Sequence, residues 1–224
     1  MRTFVPDPMA PSLMEKSIMG TRESSKASSV DLDHLPLIVH LQPVVHLTEN
    51  QFFEFCQINR DLRIERTAQG ELIVMPPAGG ETSGRNAEIT MQLALWAKRD
   101  GTGTAFDATC GFILPNKAVR SPDAAWVRKS RLAKLTAKER KKFLPLCPDF
   151  AIELRSPTDN LRILRSKMQE YIDNGTQLAW LIDPEKRRVY IYRPQAAVEQ
   201  LQAPQTVSGD PVLADFVLDL REIW

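Results

Sequence analysis

Three residues could do chemistry together in this sequence: Asp123, Glu153 and Lys167. Asp123 ends Ser121-Pro122-Asp123, at the head of an apolar run. Glu153 lies inside Phe150-Ala151-Ile152-Glu153-Leu154-Arg155, between Pro148 and Pro157. A strand has a period of two, so this run places Phe150, Ile152 and Leu154 on one face and Ala151, Glu153 and Arg155 on the other. A carboxylate inside an apolar strand is costly unless it has a partner or a metal. Two carboxylates ~4 Å apart repel by about 4 kcal/mol at an effective dielectric near 20, and a divalent cation between them removes that cost. Magnesium takes one or two protein carboxylates and fills its shell with water and substrate phosphate. Such an ion polarises a phosphodiester and acidifies an attacking water. A nearby lysine steadies the developing charge or orients that water. Asp123 and Glu153, with a cation from Lys167 or Arg155, therefore make a coherent set for phosphodiester hydrolysis. The bland reading uses the same residues: Asp123 as a turn or cap residue, and Glu153 as the ion-pair partner of Arg155 or Lys167.

The elements that must position these groups follow from pattern. The 30 positions between the two acids leave room for a helical excursion between adjacent strands. Leu161 to Asp173 reads as a helix, capped by Thr158 or Asp159 and stopped at Asn174-Gly175. Leu161, Leu164, Met168, Tyr171 and Ile172 form its apolar face, and Lys167 falls within ~40° of Tyr171, at the border of that face. Leu178 to Asp183 is a buried strand, followed after a turn by Arg188 to Arg193. Upstream, Thr48 and Gln51 form a capping box that opens a short helix. Leu62–Glu65 and Glu71–Met75 read as a hairpin turned at Gln69-Gly70. A longer helix is expected from about Ser83 to Lys98, with Ile89, Leu93, Trp96 and Ala97 inward. Thr104 to Leu114 reads as one strand bent near Gly111, and Asp123 to Val127 as the next. The last thirty residues carry a final short strand or extension ending in Phe216, Leu218, Leu220 and Trp224.

Between positions 128 and 142, Arg128, Lys129, Arg131, Lys134, Lys138, Arg140, Lys141 and Lys142 face a single acid, Glu139. Such a cluster suits phosphate backbones. It equally suits a solvated helix face with Leu132, Leu135 and Phe143 inward.

Bulk composition narrows the classes. The chain has 224 residues, 43% hydrophobic and 25% charged, which suits one domain with a sizeable core. A net charge of +1 does not by itself argue for a polyanion partner. Cys56, Cys110 and Cys147 have no CxxC spacing, which fits a reducing compartment and no disulfide framework. No apolar run approaches a membrane span and no signal peptide is evident, so the cytoplasm is the expected location and no membrane partner is expected. Residues 1–34, rich in proline and serine, read as a disordered tail, and 35–224 as the folded domain. The three histidines, His34, His40 and His46, all precede the first helix. A Ser-His-Asp or Cys-His hydrolase, or a His-rich zinc site, therefore lacks its histidine in the main body.

Several segments, in one order, resemble a known family. They are Gly79 to Glu88, Ser121-Pro122-Asp123-Ala124-Ala125-Trp126-Val127, Cys147 to Asp159, Lys167-Met168-Gln169-Glu170-Tyr171-Ile172, Asn174-Gly175, Trp180 to Pro184, and Val189-Tyr190-Ile191-Tyr192. Together they resemble the Uma-two family of restriction-type endonucleases, within the PD-(D/E)xK nuclease superfamily, over about residues 45 to 224. The resemblance implies an α/β fold with a restriction-endonuclease-like core: a mixed central β-sheet flanked by helices. It implies a Mg2+- or Mn2+-dependent DNA endonuclease, with Asp123 and Glu153 as metal ligands. The superfamily lysine two positions after the glutamate is absent, because Arg155 stands there, and arginine is a poor copy of a lysine point charge. Lys167 matches a lysine of the family's next helix and takes the catalytic role, with Arg155 as a phosphate or structural partner. Glu88 is a secondary candidate for a helix-borne acid, and Asn86 stands where related sequences often have histidine. The basic residues Arg128, Lys129, Arg131 and Lys134 are the expected nucleic-acid contacts. DNA is the expected partner, and folds of this type often pair as homodimers. Two competitors stand beside this reading: a catalytically silent nuclease-fold binding or interaction protein whose acids form ion pairs, and a hydrolase of a non-nucleic phosphoester.

Overall fold

Strand Phe150–Leu154 (β8) is buried at all five positions, and the fold is layered around it. In the computed structural model, which describes residues 36–224, β8 sits inside a six-stranded sheet. Its other strands are Gly103–Asp107 (β4), Ala124–Arg128 (β7), Leu178–Asp183 (β9), Arg188–Tyr192 (β10) and Glu199–Gln202 (β11), in the order β11-β10-β9-β8-β7-β4. The β8–β9 pair is parallel, and the sheet's other pairs are antiparallel. A parallel pair needs a crossover, and helix Leu161–Asp173 (α4) supplies it. The N-cap of α4 is Asn160, two residues beyond Thr158 and one beyond Asp159, because its side chain accepts from the amides of Arg162 and Ile163. Asp159 instead turns back to the amide of Ser156.

The two faces of the sheet carry different cores. On one, Phe150, Ile152, Leu154, Trp180 and Ile182 pack against Ile89, Leu93 and Trp96 of helix Gly80–Asp100 (α2). The C-terminal hairpin, Thr206–Ser208 (β12) with Val217–Asp219 (β13), and Phe216 close that side. On the other face Ala125, Ala151 and Ala179 lie side by side across β7, β8 and β9. Met168, Tyr171 and Ile172 of α4 pack there. Small side chains let a helix approach the sheet closely, so α4 can reach the strand edge with its polar border.

A second, five-stranded antiparallel sheet has the order β1-β3-β2-β6-β5, from Leu37–Val39 (β1), Leu72–Met75 (β3), Arg63–Arg66 (β2), Val119–Arg120 (β6) and Phe112–Ile113 (β5). Helix Glu49–Ile58 (α1), opened by the Thr48–Gln51 capping box, buries Phe52 in this sheet's core with Ile64, Leu72 and Val119. Here the structure departs from the sequence reading. The single bent strand over 104–114 is two strands, β4 and β5, in different sheets. The chain breaks at Gly111, where an added Cβ would stand 2.4 Å from the Phe143 ring. Strand β6 is too short to leave a periodic signal. The basic segment 128–142 is no continuous helix. It holds a four-residue turn of helix, Lys129–Leu132 (α3), and a single 3-10 turn at Glu139–Lys141. The expected tail lies outside the described residues. No helix among the described residues is long and apolar enough to cross a membrane.

Candidate active site

Strand register brings the two acids together. Ala124 pairs with Ile152 in the antiparallel β7–β8 ladder, so Asp123 and Glu153 face each other one step beyond it. Directly opposed residues hold their Cβ atoms roughly 5 Å apart. The amide of Leu154 donates to Asp123 Oδ2 at 2.8 Å and fixes that carboxylate against β8. Both acids are buried, at 7% and 4% exposure. Lys167, two turns into α4, places Nζ 2.8 Å from Glu153 Oε1. The Tyr171 hydroxyl, one turn further on, donates to the same oxygen at 2.8 Å. Asp123, Glu153 and Lys167 line a cavity of about 510 Å3. Its rim is made by the loops Pro76–Gly79 and Ser156–Asp159 and the start of α2.

The second sheet supplies three residues that sequence reasoning did not select. Glu65, on β2, accepts from Lys167 Nζ at 2.8 Å and from the Ser121 amide at 2.8 Å, both on Oε1. Its Oε2 meets Arg120 Nη1 at 3.2 Å, and Arg120 Nε reaches Glu170 of α4 at 2.6 Å. Arg63, two positions before Glu65 and so on the same face of β2, donates from Nη2 to the Ser121 carbonyl at 2.8 Å and to Asp123 Oδ1 at 3.3 Å. A signal existed: Arg63-Ile64-Glu65 alternates charged and apolar, as Ile152-Glu153-Leu154 does, but a hairpin near the start of a domain reads as a solvated edge. From α2, Asn86 rather than Glu88 turns toward the cavity. Asn86 Nδ2 lies 3.4 Å from Asp123 Oδ1, and its Oδ1 is buried without a partner. Glu88 instead accepts from Gln92, which ties α2 to Asp219.

Arg155 points away from the site. Strand β8 ends at Leu154, and Arg155 pairs with Asp183 at 2.9 Å and Glu185 at 3.3 Å, so Glu153 has Lys167 and not Arg155 as its cation. Arg128 ends β7 five residues from Asp123, about 16 Å away along the strand. Arg128 and Arg131 pair there with Asp149, at 3.6 and 3.1 Å, while Lys129 and Lys134 are exposed at that far end. The basic segment therefore does not line the cavity of Asp123 and Glu153.

Charge is unevenly shared in the cluster. Burial pushes the Glu153 carboxyl up to about 7 against the pull of Lys167, and Asp123 and Glu65 push the same way. Burial also acts on Glu65, but Lys167 and Arg120 outweigh it and hold that carboxyl down at about 2. Lys167 is raised: burial opposes its charge, and Glu153 and Glu65 overcome that. Tyr171 is held well above its ordinary value by burial and the neighbouring carboxylates, so its hydroxyl is a donor. Among the described residues no group of three or more His, Cys, Asp or Glu side chains could hold a metal. The donors on offer to a cation are the two carboxylates and the orphaned Asn86 Oδ1. Glu153 Oε2 makes no hydrogen bond among the described residues. An all-oxygen set with few protein ligands fits a hard ion that keeps water and takes phosphate oxygens, such as magnesium or manganese, and does not fit zinc.

Comparison with known proteins agrees with this architecture. A solved structure entitled a "putative nuclease belonging to DUF820", from Anabaena variabilis, superimposes with a TM-score of 0.63 at 21% identity, covering 80% of this chain and 97% of that one. At that identity the likeness shows the fold. No curated protein matches. The model of the Uma2 family, described as "Putative restriction endonuclease", matches residues 50–221, a span that holds both sheets' site strands, α4 and every cavity residue but Pro36. With three quarters of its length under that model, the chain belongs to the Uma2 family, whose description points to nuclease chemistry.

Proposed function

We propose that this protein is a magnesium- or manganese-dependent endonuclease that hydrolyses DNA phosphodiester bonds in the cavity of Asp123, Glu153 and Lys167. The supporting observation is the convergence itself. Two buried carboxylates face each other across β7 and β8, and a lysine on their border opens on the same 510 Å3 cavity. Asp123 and Glu153 would hold the ion; Asn86 lines the same cavity and carries an unpartnered Oδ1. When bound, the ion supplies Lewis-acid polarisation of the phosphodiester and an acidified water.

The chain's own residues do the rest. Lys167, charged and aimed from α4, donates hydrogen bonds to a phosphate oxygen or the attacking water and stabilises negative charge as it develops. Its raised affinity for its proton makes it a donor and not a base. Tyr171 holds Glu153 by Oε1 and leaves its other oxygen without a hydrogen bond among the described residues. The Leu154 amide fixes Asp123. Arg63, on the cavity wall, is tied through Nη2 to the Ser121 carbonyl and to Asp123, and adds positive charge beside the carboxylates. A silent nuclease-fold binding protein is favoured by one observation: in this state both oxygens of Asp123 are engaged by protein donors.

Nicking of supercoiled plasmid in Mg2+ or Mn2+ tests the proposal. Wild type should nick, Asp123→Ala and Glu153→Ala should not, and Lys167→Met should nick far more slowly, while all three keep the wild-type far-UV circular dichroism spectrum. Wild type that leaves the plasmid intact in both metals refutes it.

A further inference from the structure

Lys167 is held by two carboxylates, and only one belongs to the set that would take a metal. Glu153 would turn toward an ion, which would weaken its hold on the ammonium. Glu65 would keep its hold. It is 2% exposed, on a strand of the other sheet, and is itself fixed from three sides. The Ser121 amide and Lys167 Nζ meet its Oε1, each at 2.8 Å, and Arg120 meets its Oε2 at 3.2 Å. Arg120 in turn grips Glu170, one turn beyond Lys167 on α4, and Asn116 donates to that same Glu170 at 2.9 Å. Glu65 thus braces α4 twice, directly through Lys167 and through Arg120. It also fixes Ser121, two residues before Asp123.

This bracing answers a problem that the sequence poses. The strand position two residues after Glu153 carries Arg155, which is committed to Asp183 and Glu185. The working cation must then come from a helix, on a long flexible stem that pays rotamer entropy when ordered. We propose that Glu65 is a positioning residue that holds the Lys167 ammonium at the cavity, independently of Glu153. The proposal rests on the reading that Lys167 serves cleavage, but the position of the ammonium can be tested without that reading.

Acetylation of lysines by acetic anhydride, followed by peptide mass spectrometry, reports how well each ammonium is held and shielded. In the metal-free full chain, Lys167 should be among the slowest lysines to react, and Glu65→Gln should speed its modification about 10- to 100-fold, the range of one charge-assisted hydrogen bond. Lys129 and Lys134 should react at unchanged rates. If Glu65→Gln fails to fold, Glu65→Asp, which keeps the charge but is too short to hold Ser121 and Lys167 together, carries the same test. On plasmid, Glu65→Gln should lower kcat with little change in KM, and should have no further effect in a Lys167→Met background, because the two residues act as one unit. Lys167 as slow to react in the folded variant as in wild type overturns the proposal, whatever the nicking result. Plasmid left intact by wild type, with Lys167 released in the variant, refutes the nuclease reading and leaves Glu65 as the anchor.

Discussion

Two carboxylates four residues apart, Asp149 and Glu153, are equally buried at 4% exposure, and their surroundings differ in kind. Asp149, just before β8, is saturated. Its Oδ2 accepts from the Arg128 amide at 2.9 Å and from Arg131 at 3.1 Å, and its Oδ1 faces Arg128 Nε at 3.6 Å. It does not line the cavity of Asp123 and Glu153. Glu153, inside β8, has one oxygen shared by Lys167 and Tyr171, a second carboxylate opposite, and 510 Å3 of open space in front. A buried charge with its partners arranged around it is architecture. A buried charge beside a like charge and a cavity is a poised group, and the energetic strain is visible in its rise to about 7.

The comparison breaks first under substitution. Asp123→Ala or Glu153→Ala should lower plasmid nicking by roughly a thousandfold or more, as expected when the groups that organise charge in the transition state are removed. Asp149→Ala should leave nicking within about threefold and instead cost about 2 kcal/mol in urea unfolding, since Arg131 loses its buried partner. An Asp149 variant as inactive as the Glu153 variant would erase the distinction. Lys167→Met should fall between, at about a hundredfold in kcat.

pH sharpens the same contrast. Glu153 has a folded-state value near 7, above the 4.5 of an ordinary glutamate. Its contribution to stability is therefore fully present below pH 4.5 and lost as pH rises through 7, on the order of 3 kcal/mol for the metal-free chain. Glu65, held at about 2, acts in the opposite sense: its contribution is present above pH 4.5 and lost as pH falls through 2. Urea unfolding across pH 3 to 9 should show both limbs, and Glu153→Gln should flatten only the one between pH 4.5 and 7. The smallest effect is expected from the basic segment. Lys129→Ala with Lys134→Ala should change nicking less than about threefold at ~0.15 M salt, because these exposed lysines stand beyond a Debye length from the acids. A larger loss would extend the nucleic-acid path along β7.

Much of this was legible in the sequence, for physical reasons that can be named. Glu153 and Asp123 stand out because a carboxylate in an apolar run demands an explanation, and register then makes them neighbours. The helix-wheel position of Lys167 put it at the border of the buried face, from which α4 can reach β8 over the alanine stripe. Arg63 and Glu65 were passed over because their hairpin reads locally as a solvated edge, and Arg120 because its two-residue strand leaves no periodic signal; only the tertiary pairing of this second sheet, built from two- to four-residue strands, turns them toward the acids. Arg155, offered by the sequence as a phosphate or structural partner, stands in structural ion pairs: the period of two that joins it to Glu153 holds only while the strand lasts, and β8 ends one residue earlier.

The most direct test of the central claim is calorimetric titration of Mn2+ into the wild-type chain and into Glu153→Ala at pH 8, where Glu153 is ionised. The account predicts saturable binding in the wild type that disappears in the variant while the variant stays folded by far-UV circular dichroism. Equal binding by the two proteins, or none by the wild type, would contradict it and leave Asp123, Glu153 and Lys167 as a buried ion cluster that stabilises the fold.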